Sequence, residues 1–456
     1  MKYRMKYRVK RAILLSVILL QILFISCRNV PEELGASEKI RLVWTDDPAA
    51  SITVAWDQTD GSAAEVLYGT ADFERRYWKY PESQVPQQEM NRYEMNTRFA
   101  KISGLQPGTN YYFIIKDVSG VSKRYWFKTA PGKPEPFTFV AGGDAKSLGA
   151  ALEASRASNR LVAKLRPLFV IFNGDFTSGN GTTPDYWKTW LSDWQDLTTG
   201  TDGRMIPIVP VMGNHENGNK RNLNIIFNAP YQYNDTSNIY YSLNVGGDLM
   251  HIIALNTEIR TDSLQKEWLE QDLKTHRDFQ FKAAGYHKPL FPHTQRKKEN
   301  PLIYNSWARV FYNYGLDLSL DGDSHMHKIT FPLRPDSSDT AYMGFTRDDE
   351  KGTMYIGEGS WGATPRENND DKPWTLTSGS FNQIKWVHVF PETGEMEAHL
   401  DIYTVISCDY DKDTTQILYD DIEALSEENL FHIPEGIRLH QMEKYGKAVR
   451  YPFHLN

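Results

Sequence analysis

The chain has 456 residues, 40% of them hydrophobic, and a formal charge of −7. This length and apolar content exclude a disordered chain and allow two or three domains. The acidic balance excludes nonspecific nucleic-acid binding, so no nucleic-acid partner is expected. Two cysteines exclude a disulfide framework.

At the start, Lys2, Arg4, Lys6, Arg8, Lys10 and Arg11 precede an apolar run over 12–25 and then Ser26-Cys27. The run is short of the roughly 20 residues a membrane span needs, and the pattern predicts an export signal over 1–26. Phe24-Ile25-Ser26-Cys27 resembles a bacterial lipoprotein signal. That implies lipidation of Cys27, a membrane anchor, and a periplasmic or cell-surface location. Cleavage leaves 45 Lys and Arg against 58 Asp and Glu, a charge of −13, with Cys408 the one remaining thiol. Any metal must then be held by oxygen and nitrogen. Residues 27–37, rich in Pro, Glu, Gly and Ser, read as a tether.

Residues 38–130 carry short alternating or β-branched runs at 40–44, 51–56, 64–68, 98–102, 111–117 and 125–128, separated by turn residues, as in an all-β sandwich. Ser51-Ile-Thr-Val-Ala-Trp56 and Gly104-Leu-Gln-Pro-Gly-Thr-Asn-Tyr-Tyr112 resemble a fibronectin type III domain. No titratable cluster occurs there, so the unit reads as a support or docking module. Pro131-Gly-Lys-Pro-Glu-Pro136 is a stiff linker.

From 137 to 405, strand and helix alternate, which predicts an α/β domain of sheets covered by helices. Strands are expected at 137–141, 168–172, 208–211, 240–245, 249–255, 281–286, 316–320, 328–333, 353–356, 386–390 and 395–403. Helices are expected at 150–165, 184–197, 263–276 and 306–314. The Trp187, Trp190 and Trp194 stripe reads as core packing. Residues 406–456 form a C-terminal extension of unknown role, with a helix expected over 417–425.

Five strands in this domain end in metal-ligand types. Asp144 follows Gly142-Gly143, Asp175 follows Gly174, Asn214 and His215 follow Gly213, His287 follows Gly285-Tyr286, and His325 and His327 follow Asp321-Gly-Asp-Ser324. Open α/β sheets bind ligands at the carboxyl ends of their strands. Carboxylates, an amide and imidazoles without thiolate suit a pair of transition metals, which can hold a hydroxide and clamp a phosphoryl group.

The order of these motifs resembles the calcineurin-like metallophosphoesterases, and more closely the purple acid phosphatases, whose catalytic domain also follows a fibronectin-like sandwich. The resemblance implies two packed sheets flanked by helices, a dinuclear centre of iron, zinc or manganese, and hydrolysis of a small phosphorylated substrate, foremost a phosphomonoester. It implies Asp144 and His327 on the first metal, Asp175 bridging, and Asn214, His287 and His325 on the second. His215 is the implied catalytic residue beside the leaving oxygen. His293 and Lys146 are candidate substrate contacts. Lys146 stands where related enzymes carry a histidine ligand, and Ser178 where the purple enzymes carry a tyrosine, so the first site lacks both. A phosphodiesterase or nucleotidase on the same centre, and a non-catalytic surface binding protein with a degenerate site, are the alternatives.

Overall fold

The structure is a computed structural model that describes residues 33–61 and 63–446. The export signal and Cys27 lie outside the described residues. Among these, no helix is long and apolar enough to cross a membrane.

In the N-terminal sandwich, one sheet holds Ser37–Val43, Ser51–Gln58, Met95–Ser103 and Gln88–Arg92, and the other holds Glu82–Gln84, Glu65–Gly69, Asn110–Lys116 and Tyr125–Lys128. Alternate residues of both turn inward: Val54 and Trp56 meet Phe113, Ile115 and Phe127 in the core. The corner before Asn110–Lys116 is closed by Tyr111, whose hydroxyl accepts the Gln106 N–H at 2.9 Å.

This sandwich is continuous with the next domain. Ser37–Val43 pairs in parallel with Ile208–Pro210, Val43 opposite Ile208, and the Trp44 N–H donates to the Ile208 carbonyl. A ten-stranded sheet results, in which Ser37–Val43 is followed by Ile208–Pro210, Phe169–Phe172, Phe137–Gly142, Gln383–Phe390, His399–Ile406 and Leu439–Gly446. Buried Arg41 reinforces the seam, its Nε donating to the Ile226 carbonyl at 2.9 Å.

A seven-stranded sheet faces the ten-stranded one. Tyr241–Val245, Met250–Ala254, Phe281–Gly285, Leu318–Leu320, Met354–Gly357, His327–Thr330 and Thr375–Gly379 form it in that order. Side-chain alternation sets the layers. Ile252 and Ala283 join the core shared with the first sheet, whereas Ile253 and Ala284 pack outward on Leu269, Leu273, Trp307 and Phe311. These last four belong to helical segments Leu264–Thr275 and Tyr304–Asn313, and helices Gly149–Leu165 and Pro184–Thr198 cover the first sheet. The domain is therefore a helix, sheet, sheet, helix stack.

Residues 417–425 do not form the expected helix: Ile417 ends a strand and 418–425 are irregular with one short turn. The C-terminal segment instead supplies the hairpin Cys408–Tyr410 and Thr415–Ile417 against the first helix, and the sheet edge Leu439–Gly446.

Candidate metal centre

The expected ligand-bearing strands end along one seam between the two sheets. Asp144, Asp175, Asp323 and His325 have φ of 65°, 57°, 66° and 55°. Left-handed backbone costs a non-glycine residue about 1–2 kcal/mol, so such a cluster marks side chains held where packing alone would not put them. The loops touch closely. A Cβ on Gly174 would lie 2.6 Å from Gly213 Cα and 2.9 Å from His287 Nδ1. Buried Glu216 ties the loops together, Oε2 accepting the N–H groups of Asp175 and Gly213 (2.9 and 3.0 Å) and Oε1 that of Phe176 (2.9 Å).

Asp175 divides the site. Its Oδ1 accepts the His215 N–H at 2.8 Å and lies 3.1 Å from His287 Nε2. On this side Asp323 Oδ1 is 3.6 Å from the same imidazole nitrogen, and the inner atom of the Asn214 amide is 3.2 Å from it and 2.9 Å from Asp323 Oδ1. With its nitrogen inward that amide donates to Asp323. Turned the other way, it adds an oxygen to a donor set suited to a hard or borderline cation. His287 Nδ1 faces the Asn173 carbonyl at 2.8 Å, which leaves Nε2 as the ligand atom. On the other side, Asp175 Oδ2 lies 3.4 Å from His215 Nε2 and 3.7 Å from Lys146 Nζ. Asp144 is adjacent, its Oδ1 3.2 Å from His325 Nε2 and its Oδ2 accepting the Asp323 N–H at 2.9 Å. One atom each from Asp144, Asp175 and His287 lie within 4.8 Å of one another.

Electrostatics favour a cation here. Burial opposes the charge on Asp175, yet His287, Lys146 and His215 hold its carboxyl well below the usual range. Burial likewise opposes the charge on Asp323, which His287 and Lys297 hold low. His287 is buried too, but the Asp175 and Asp323 carboxylates raise its pKa well above the ordinary value. A metal replaces such a proton directly. Burial lowers the pKa of His215 and His325 against the pull of Asp175 and Asp144 respectively.

Asp144, Asp175, Asn214, His215, His287, His325 and Lys146 come together, and two expected members do not. His327 turns from the carboxylates: its Nδ1 lies 2.7 Å from Lys385 Nζ and its ring packs on Phe381 and His440. His325 meets Asp144 instead, and Asp323 stands with Asp175 and His287. The expected His-Met-His pair is thus corrected to Asp323-Ser-His325, two residues earlier. His293 is corrected as well. Its ring is fully buried, Nδ1 3.1 Å from Glu358 Oε1 and Nε2 2.7 Å from Thr375 Oγ1, with neither nitrogen free for substrate.

Asp323 was overlooked although Gly322-Asp323 repeats the Gly-Asp step of 143–144 and 174–175. Lys297 reaches Asp323 Oδ1 at 2.5 Å. Arg366 Nη1 donates to the Asp323 carbonyl at 2.8 Å.

Comparison with known proteins adds the family. Residues 37–129 match the family described as purple acid phosphatase, N-terminal domain, and residues 137–327 match calcineurin-like phosphoesterase. The two matched segments therefore resemble the N-terminal domain of purple acid phosphatases followed by a calcineurin-like phosphoesterase domain. Purple acid phosphatase 15 of Arabidopsis thaliana is 26% identical over 267 residues, 50% of this chain and 48% of that protein. The chain thus spans about half the length of that relative. The fold is shared with a purple acid phosphatase from yellow lupin seeds (TM-score 0.64, 15% identity, 82% of this chain and 72% of that one). It is also shared with PhoD (TM-score 0.60, 10% identity, 92% of each chain).

Proposed function

We propose that the protein is a metal-dependent phosphoric ester hydrolase acting on small phosphomonoesters. The observation that carries this reading is the convergence on Asp175 of His287 Nε2 at one carboxylate oxygen and His215 Nε2 at the other. Asp175, Asn214, His287 and Asp323 would hold a cation, with an Asp144 oxygen within 4.8 Å of Asp175 and His287, while His325 and Lys146 line the other side of Asp175. Iron, zinc and manganese all accept such oxygen and nitrogen donors. A bound cation there supplies Lewis-acid stabilisation of phosphoryl oxygens and acidifies water.

The chain's own groups do the rest. The His215 imidazole, with 28% of its side chain exposed beside Asp175, is placed to donate from Nε2 to the departing ester oxygen. Its backbone N–H fixes the Asp175 carboxylate, so ligand and proton donor share one turn. Lys146 offers a cation to the phosphoryl group.

The full chain, reconstituted with iron, zinc or manganese, should hydrolyse an aryl phosphate monoester faster than the matching diester. Asp175→Ala should lose both bound metal and turnover. His215→Ala should keep the metal and lose about 10²–10⁴-fold in rate. Full activity in His215→Ala would reject its proton role, and a faster diester reaction would reassign the substrate. For location we propose export and anchoring through a lipid on Cys27, supported by the basic and apolar pattern of residues 1–26. A lipid-precursor label should vanish in Cys27→Ser, and a label that persists rejects the anchor.

A further inference from the structure

The two sides of Asp175 are unequal. On the Oδ1 side, Asn214, His287 and Asp323 join the carboxylate to make four donors. On the Oδ2 side, Asp144, Asp175 and His325 stand with His215, whose Nε2 lies 3.4 Å from Oδ2 and is reserved for the leaving oxygen, so three donors remain for a cation. Two further residues that could add a donor are turned elsewhere. Ser178 is tied to the neighbouring loop, its Oγ accepting the Ser147 N–H at 3.1 Å while its own N–H donates to Ser147 Oγ at 3.0 Å. His327 sets Nδ1 against Lys385 Nζ and packs its ring on Phe381 and His440, away from these carboxylates.

Lys146 enters this side instead. Its Nζ is buried, makes no hydrogen bond, and lies 3.7 Å from Asp175 Oδ2. Its backbone is pinned, the N–H donating to Ser155 Oγ at 2.9 Å. An ammonium cannot be a ligand, and at this distance it repels a second cation on the same carboxylate.

We propose that the protein binds a single metal tightly, on the Asp175 Oδ1 side, and that Lys146 provides the fixed positive charge of the other side, where it meets the phosphoryl group. The proposal rests on the phosphoesterase reading. Local charge supports it: Lys146 already stands 3.7 Å from Asp175 Oδ2, so a second divalent ion on that oxygen would add two positive charges beside a fixed cation.

The test is metal stoichiometry, read without turnover. The full chain, stripped with chelator, reloaded with Mn(II) and dialysed, should retain one manganese per chain by elemental analysis and give the electron paramagnetic resonance signal of an isolated ion. Lys146→His should retain two and give a spin-coupled signal. Lys146→Met should retain one and bind inorganic phosphate about tenfold more weakly. Two retained ions and a coupled signal in the unchanged protein would overturn the proposal while leaving the phosphoesterase reading intact. No retained metal would overturn both. A single ion in folded Lys146→His would show that the lysine does not keep the second ion out. Should that variant fail to fold, the count in the unchanged protein decides.

Discussion

The two sheets deliver ligands to the same seam but support them with different physics. Asp144, Asp175 and Asn214 come from the ten-stranded sheet, and beneath them lie packed rings: Phe172 stacked on Phe176 at 4.4 Å, Trp190 stacked on Trp194 at 5.0 Å, and Trp361 tilted against Phe172 at 5.2 Å. His287, Asp323 and His325 come from the seven-stranded sheet, and beneath them lie buried ions. Lys328 Nζ bonds Asp321 Oδ2 at 2.8 Å and Glu358 Oε1 at 2.9 Å, and His293 closes the chain on Glu358. Apolar packing fixes a loop through shape, whereas an ion network fixes it through charge. The difference teaches that one half of the site should answer to volume changes and the other to charge and pH.

Lys328→Ala should break this contrast most severely. Removing one partner of a buried ion cluster costs roughly 3–5 kcal/mol, because Asp321 loses its ion-pair partner and Glu358 keeps only His293. Burial already pushes the Asp321 carboxyl up to about 7, against the pull of Lys328. Without the lysine it rises further, and a carboxyl whose folded pKa is raised destabilises the fold above its unfolded pKa. The loss should therefore be largest at neutral pH and shrink on acidification, as denaturant unfolding across pH would record.

Trp361→Ala sharpens the comparison from the other side. It empties the space against Gly142, removes the Nε1 hydrogen bond to Asn159 (2.9 Å), and should also cost about 3–5 kcal/mol, but by the same amount at every pH. A loss that varied with pH as much as that of Lys328→Ala would erase the distinction.

A smaller effect belongs to His388. It is buried among Trp386, Tyr403 and Phe431, and burial lowers its pKa to about 3. A histidine depressed on folding contributes fully above about 6.5 and loses its contribution as pH falls. At pH 5 that amounts to about 2 kcal/mol. His388→Phe should flatten the acid side of the stability profile, and an unchanged profile would show that acid attacks elsewhere.

The aromatic half was the more legible in sequence, because its strands are continuous β-branched and aromatic runs and its ligands each follow a glycine. The polar half misled at two residues. His325 and His327 look like a natural pair, but the sharp turn at Asp323 and His325 sends His327 into the strand His327–Thr330, facing Lys385. His293 looked like a substrate contact because a burial partner as distant as Glu358 leaves no local signature. The strands Thr375–Gly379 and Leu439–Gly446 were missed for a related reason. Both lie at sheet edges, where half-exposed positions keep polar residues and blur the period of two.

The seam between Val43 and Ile208 sets the order in which the molecule can be completed. The contact joins residues 165 positions apart, so during synthesis the sandwich emerges with Ser37–Val43 as an unpaired edge until the strand leading to Asn214 and His215 appears. Each is the other's missing neighbour. A truncation between the domains would leave two sticky edges rather than two independent proteins, and the turn bearing His215 would lose the strand that flanks it on the sandwich side.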